Sequence, residues 1–381
     1  MTRYSIKTIL AALAALAVAS SAARATDLET VAKQVIIVDY ATGAELYAKN
    51  ADEIMEPASM SKMMTIYMLF EEIQNGSLKL TDTFLVSENA WRKQGSKMFV
   101  PVGGRVSVED LIRGIIVQSG NDASIVVAEG LAGSEDAFAQ KMTEKARQLG
   151  MMNTVFKNAS GWPDPGHYST ARDLAILAAA TIRNFPKLYP YYSEETFVYN
   201  NIKQGNRNPL IYKSTGTDGL KTGHAEAAGY GLTASAVRNN ERLIVVAHGM
   251  SSMRERAAEA NRLLDWAYRE FGSYPLFKGG EKVADAKVWL GSAETVPLTL
   301  AGDLTAVIKR SSRKGLKVAA QFDEPIAAPI KKGAPVGKLV VSAPDMKPIE
   351  RPLLAAADVE PLGMFGRFRE AIGYLVWGSG K

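Results

Sequence analysis

The run KQVIIVDYATGAELYAKN, residues 33–50, sets two apolar stretches around Ala41-Thr42-Gly43, which predicts two strands joined by a tight turn. Apolar residues then recur at helical spacing over 59–74, 107–118, 121–132 and 134–148, and again from Thr170 to about Arg183, ahead of Pro186. Ser107 and Asp110 stand at capping-box spacing at the head of one of these helices. Further on, YGLTASAVRNNERLIVVAHGM is apolar on both sides of Asn239-Asn240 and predicts a hairpin. RERAAEANRLLDWAYREF follows as a helix that closes near Phe271.

The texture changes from Lys282 to about Asp358. Short alternating runs (KVWLG, LTAVIKR, LKVAAQF, GKLVVSAP) are divided by Pro and Gly, the pattern of a small all-β domain. The tail LGMFGRFREAIGYLVWGSGK places Met364, Phe365, Phe368, Ile372, Leu375 and Val376 on one helical face, with Arg367, Arg369 and Glu370 elsewhere. That amphipathic helix suits a membrane interface; the competing reading is a terminal helix packed on a domain. At the other end, Arg3 and Lys7 precede an apolar run from Ile9 to Val18 and a small-x-small site at Ala23-Arg24-Ala25. The run is too short to cross ~30 Å of hydrocarbon, so it is expected to be an export signal cleaved after Ala25. The expected organisation is a signal peptide over 1–25, a mixed helix-and-strand domain over 26–275, an all-β domain over 276–358 and a membrane-anchoring helix over 359–381.

Cleavage removes three basic residues and no acid, so the formal charge falls from +5 to +2, which argues against a nucleic-acid partner. The absence of Cys excludes a thiolate nucleophile, a disulfide framework and Cys-based metal sites. His167, His224 and His248 are scattered without an HExxH-like spacing, and no metal or cofactor is expected.

The chemistry is concentrated in PASMSKMMTIYMLF, residues 57–70, where a lysine heads an otherwise apolar helix. Ser59 and Lys62 are three apart and share a helical face. The residues after Lys62 are apolar on most sides, so the helix is expected to be buried. A buried ammonium without a partner lowers its pKa, and a neutral amine beside a hydroxyl is a general base. The backbone N–H of a serine at a helix start also favours a developing oxyanion. Alone, the pattern is equally an ordinary helix cap with an exposed lysine. A second S-x-x-K, Ser311 to Lys314, sits in a polar turn of the β region and reads as a solvated loop. Two further segments tip the balance. Ser119-Gly120-Asn121 lies between two helical patterns, and Lys221-Thr222-Gly223 leads into the hairpin. With Ser59-x-x-Lys62 they make up, in chain order, the S-x-x-K, S-D-N and K-T-G set of β-lactamases and penicillin-binding proteins, with Gly for Asp in the middle member. A rival S-x-N, Ser87 to Asn89, reads as a turn cap. In this scheme Ser119 relays a proton, Asn121 positions the substrate amide and Lys62, and Lys221 and Thr222 offer a cation and a hydroxyl to a carboxylate. Gly223 lets a substrate backbone lie on the strand edge, and the backbone of His224 supplies a second oxyanion N–H.

Nearly the whole chain resembles the serine-type D-alanyl-D-alanine carboxypeptidases, the low-molecular-mass penicillin-binding proteins of peptidase family S11. The resemblance is carried by PASMSKMMT, AWRKQGSKMFV, SGNDAS, HYSTARDLA, DGLKTGH, AGYGLTASA and RLLDWAY. It implies an α+β fold, in which a five-stranded antiparallel sheet packs against helices as in serine β-lactamases and transpeptidases, followed by a β-rich domain and the amphipathic tail. It implies Ser59 as acylated nucleophile, Lys62 as base, Ser119 and Asn121 in proton transfer and positioning, and Lys221, Thr222, Gly223 and His224 in substrate binding. Gly95 and Ser96 match a loop edging the cleft. Arg256 and Arg207 are matched to the terminal carboxylate of D-alanine, with surface salt bridges as the competing reading. The implied partners are peptidoglycan stem peptides, β-lactam antibiotics and the membrane surface, and the implied location is the periplasmic face of the cytoplasmic membrane. One departure is Ala225, where the family pattern after KTGH has Thr. It removes a hydroxyl near the acyl site and bears on deacylation and substrate preference. His167, in the segment comparable to the β-lactamase omega loop, is expected to be structural, and His248 a core or edge residue. A β-lactamase is the first alternative, opposed by the lack of an E-x-x-L-N segment between Ser119 and Lys221. A non-catalytic cell-wall scaffold is the second, opposed by the intact set of reactive residues.

Overall fold

The computed structural model describes residues 28–213, 216–364 and 366. The predicted export signal lies outside them, as do residues 365 and 367–381 of the predicted tail helix; Val359 and Pro361, expected to begin that helix, instead form β-bridges to Ile330 and Gly291 and extend the β-rich part. The chain divides into a first unit ending at Val31, whose described residues 28–31 hold no helix or strand, and a second unit from Ala32 onward.

The second unit is built on a five-stranded antiparallel sheet of order β2-β1-β9-β8-β7. Its strands are β1 (Gln34–Asp39), β2 (Glu45–Lys49), β7 (Thr217–Ala225), β8 (Gly229–Arg238) and β9 (Glu241–Met250). Helices cover both faces, so Val35, Ile36 and Ile37 in β1 and LIVVA in β9 are buried at consecutive positions rather than alternate ones. On one face Ile36, Ile244 and Val246 join the core of the helical region. The β8–β9 turn is Asn239-Asn240, with φ of 50° and 64°, the left-handed pair that a type I′ hairpin needs and Asn tolerates. Asn200-Asn201 uses the same chemistry (φ 47° and 61°) to join β5 (Thr196–Tyr199) to β6 (Ile202–Gly205), a hairpin absent from the sequence reading. Two further short strands, β3 (Thr83–Leu85) and β4 (Arg105–Ser107), pair with each other.

The helices are α1 (Lys62–Gln74), α2 (Glu88–Arg92), α3 (Val108–Ile116), α4 (Asn121–Ala132), α5 (Glu135–Gln148), α6 (Ala171–Asn184) and α7 (Met253–Glu270). Their starts follow the capping rules. Ser87, Ser107, Ser134, Thr170 and Ser252 each accept from a backbone N–H three residues on. Ser87 is therefore the cap of a short helix. The Ser107 box is not reciprocal, because Asp110 Oδ2 accepts from the Ser107 hydroxyl at 2.7 Å. Helix α1 is the axis of the core. Met63, Met64, Ile66, Tyr67, Leu69 and Phe70 are all buried, and Phe70 meets Phe185 and Tyr192 edge-on.

The β-rich part begins with β10 (Phe271–Phe277), directly after α7, which pairs with β13 (Leu304–Lys309). A six-stranded sheet of order β14-β16-β17-β12-β11-β15 forms the rest. Its strands are β11 (Lys282–Trp289), β12 (Thr295–Thr299), β14 (Lys317–Phe322), β15 (Ile326–Ala327), β16 (Pro335–Ser342) and β17 (Ile349–Ala355). It has its own core, including Val296, Leu298, Ala306, Ile308, Leu339, Val341 and Leu353. The second S-x-x-K lies here in a 3-10 turn, Arg310–Gly315, with Ser311, Arg313 and Lys314 exposed.

Truncating Phe70 to Ala empties a fully buried site between aromatic rings. The expected loss is about 3–5 kcal/mol of folding stability in chemical denaturation.

Candidate active site

Pro57 leads into a 3-10 turn, Ala58–Ser61, which runs directly into α1. The sequence reading placed an α-helix from 59; the tighter turn brings residues three apart into register, and Ser59 and Lys62 are such a pair. Lys62 Nζ lies 2.8 Å from Ser59 Oγ. It also donates to Asn121 Oδ1 at 2.8 Å and to the Ser160 carbonyl at 2.5 Å. A neutral amine has two N–H groups and one lone pair. Asn121 and Ser160 take the two hydrogens, and the lone pair is left for the Ser59 hydroxyl. Lys62 is fully buried. Burial, and then the Arg207 and Lys93 charges, bring its pKa down to about 7, against the opposing pull of Asp122 and Glu135. Ser59 itself is partly exposed and open to a substrate.

Ser119, Gly120 and Asn121 form the joint between α3 and α4. Ser119 is 2 % exposed and takes a left-handed φ of 60°, strain of the kind that collects at functional positions. Its Oγ accepts from Lys221 Nζ at 3.0 Å. This one joint therefore touches both lysines, Lys62 through Asn121 and Lys221 through Ser119. Lys221, on β7, is pushed well below the ordinary lysine value, by burial first and then by Lys62, Arg207 and Arg256. Thr222 follows it, buried, on the same strand. The other edge of β7 carries no strand, since β7 ends the sheet. Gly223 has a structural reason beyond substrate access. A Cβ there would lie 2.7 Å from the Pro57 carbonyl oxygen, so only glycine lets β7 come this close to the serine turn.

His224 is exposed at the end of β7, its ring stacked 4.0 Å from Tyr230. Arg256 sits 5.8 Å from the other partner in that group, the Tyr230 ring, and donates weakly to the Arg207 carbonyl at 3.5 Å. Arg256 is buried, its Nε has no hydrogen-bond partner, and burial lowers its pKa to about 10. Neither Arg256 nor Arg207 forms an ion pair among the described residues. A guanidinium held this way is short of an anion. Ser96 contributes through its backbone, its carbonyl accepting from Asn121 N–H at 2.7 Å, while Gly95 (φ 83°) is held close to the Asn121 side chain. Ala225 is buried at the end of β7 and brings no hydroxyl.

The two other histidines are structural in their contacts. Lys157 N–H donates to His167 Nδ1 at 3.2 Å, so the ring proton is on Nε2, which donates to Ser61 Oγ at 2.7 Å. Burial lowers the pKa of His167 to about 4. His248 is buried beside Gln34.

Several supporting residues escaped the sequence reading. Asp122, next to Asn121, is fully buried and accepts from the backbone N–H groups of Met98, Phe99 and Val100. Asn158 Oδ1 gathers the N–H groups of Ser160 and Trp162, and Glu135 Oε1 accepts from Ala159 N–H at 3.0 Å. Together they set the Ser160 carbonyl that faces Lys62. The Asn in NASGW is a turn signal, but a carbonyl ligand leaves no mark on side-chain identity.

A buried lysine paired with a partly exposed serine, a second serine–lysine pair and an edge strand define a serine acyl-transfer enzyme of the penicillin-recognising class. Comparison with known proteins carries this to a family. The profile of peptidase S11, D-alanyl-D-alanine carboxypeptidase, matches residues 19–252, and that of the penicillin-binding protein 5 C-terminal domain matches 271–361. The chain is 39% identical over 344 residues to D-alanyl-D-alanine carboxypeptidase DacC of Escherichia coli, covering 88% of this chain and 86% of that one. It is 37% identical over 348 residues to DacA of Haemophilus influenzae, covering 90% and 88%. The crystal structure of penicillin binding protein 5 from H. influenzae superposes with a TM-score of 0.81 at 37% identity, over 88% of this chain and 99% of that one. The chain belongs to the S11 family of D-alanyl-D-alanine carboxypeptidases.

A base that must be unprotonated gives acylation an acid limb. The rate of Ser59 acylation by a β-lactam is expected to fall as pH drops below about 7. Arg207→Ala removes a positive charge that depresses Lys62, so the limb should move to higher pH. His167→Gln should leave it in place.

Proposed function

We propose that the chain releases the terminal D-alanine from peptidoglycan stem pentapeptides through an acyl-enzyme on Ser59, and that β-lactams acylate the same serine. The observation that carries this is the buried Lys62 Nζ, 2.8 Å from Ser59 Oγ and held by Asn121 Oδ1 and the Ser160 carbonyl, so that the neutral amine has a lone pair for the Ser59 proton. Ser59 Oγ attacks the carbonyl of the penultimate D-alanine as its proton passes to Lys62 Nζ. The backbone N–H groups of Ser59 and His224 hold the oxyanion. On collapse the C–N bond breaks, and the leaving amine takes a proton from Lys62 by way of the Ser119 hydroxyl. Water then attacks the ester, Lys62 takes its proton, and as the C–O bond to Ser59 breaks Lys62 returns that proton to Ser59 Oγ. The peptide lies along the free edge of β7 as an added strand. Lys221, Thr222, Arg256 and Arg207 receive the carboxylate end, and the partnerless Arg256 Nε supports that assignment. The ampicillin-bound penicillin-binding protein D2 of Listeria monocytogenes, with a TM-score of 0.58 at 28% identity over 63% of this chain and 98% of that one, supports the drug reading.

The same proposal puts the mature chain in the periplasm after loss of residues 1–25, held on the outer face of the cytoplasmic membrane by the amphipathic tail that follows Pro361. The support is the sequence pattern; among the described residues no helix is long and apolar enough to span a membrane.

Ser59→Ala is expected to abolish both D-alanine release from a stem pentapeptide and covalent penicillin labelling; persistent D-alanine release would remove Ser59 as nucleophile. Arg256→Ala should raise KM more than it lowers kcat. A chain ending near Asp358 should leave the membrane fraction with its activity intact, and equal partition of both forms would remove the anchor.

A further inference from the structure

One wall of the cleft is unlike the rest. Trp162 is 40% exposed, only two residues beyond the Ser160 carbonyl that binds Lys62. Its backbone is fixed on both sides by Asn158, which accepts from its N–H at 2.9 Å and donates to its carbonyl at 2.9 Å. Its ring lies against Gly95, where a Cβ would come within 3.0 Å of the indole and 2.7 Å of Asn121 Nδ2. The indole therefore stands beside the reaction centre on a backbone held by Asn158, and it is partly open to solvent. Lys93, half-buried at the end of α2, holds its ammonium 5.0 Å from the ring centroid. It forms no ion pair among the described residues. An exposed aromatic plate carrying an uncompensated cation matches a ligand that is flat or apolar on one side and anionic on the other.

We propose that Lys93 and Trp162 form a substrate subsite for an anionic peptide segment upstream of the scissile bond, with a free carboxylate on the Lys93 ammonium and the adjoining chain against the indole. This rests on the carboxypeptidase reading and adds to it a preference for acidic stem peptides. Two features favour such a ligand over a bare apolar group. Lys93 and Arg207 both lower the pKa of Lys62, so their positive charge reaches into the site even against Asp122 and Glu135. The subsite is also continuous with the cleft through Gly95 and Asn121, so a peptide acylating Ser59 reaches it without a break.

The test uses the full-length enzyme and two peptides ending in D-alanyl-D-alanine, identical except that an upstream carboxylate is free in one and amidated in the other. The native enzyme should prefer the free acid in kcat/KM by about two- to fivefold, the range of an exposed ion pair, with the difference in KM. Lys93→Gln should bring that ratio to unity, and Lys93→Arg should keep it. Trp162→Leu should raise KM for both peptides. Loss of the Lys93 charge also raises the Lys62 pKa, but that moves the acid limb of both peptides alike and leaves their ratio at fixed pH unchanged. Equal kcat/KM for the two peptides with the native enzyme, or an unchanged ratio in Lys93→Gln, overturns the subsite while D-alanine release keeps the carboxypeptidase reading. Release from neither peptide overturns both.

Discussion

The structure depends on burying one amine in the middle of a protein core, where its charged form is disfavoured. Lys62 heads a helix that is apolar on nearly every side, and an ammonium there would be a costly guest. Two acceptors and a hydroxyl meet its three tetrahedral directions, so either protonation state is hydrogen-bonded, and it is burial that weakens the charged one. Much of the surrounding architecture serves that balance. Asn121 comes from the α3–α4 joint, the Ser160 carbonyl from a loop tied down by Asn158 and Glu135, and the serine turn from a chain pinned between Gly223 and Gly161.

A second constraint is the crowding of positive charge. Lys62, Lys221, Arg207 and Arg256 act on one another, and each that is buried is shifted toward losing its proton. Under the proposed function, a carboxylate bound among these groups would raise the pKa of each, so substrate recognition and the protonation state of Lys62 would be linked.

Much of this was legible in the sequence because the relevant signals are local. One helix start announced itself through the Ser107 cap, the β8–β9 hairpin through Asn239-Asn240, and the cluster that brings Ser59, Lys62, Asn121, Ser119 and Lys221 together through their motif spacing. What stayed hidden is non-local or carried by the backbone. No pattern shows that the Ser160 carbonyl meets an amine 98 residues away in the chain, or that Asp122 gathers three N–H groups from the 98–100 loop. The 3-10 character of the Ala58–Ser61 turn was hidden too, because i,i+3 spacing suits either helix. Gly223 was read for the ligand it admits, whereas its tightest neighbour is the protein's own Pro57 carbonyl.

That contact has a wider meaning for how the cleft can change over time. With β7 pressed to the serine turn through a bare glycine, that join admits no added side chain. Adaptation to bulkier or differently charged molecules falls more readily on freer positions such as Lys93 and Trp162. Evolution of substrate range and escape from inhibitors would then draw on the same few positions.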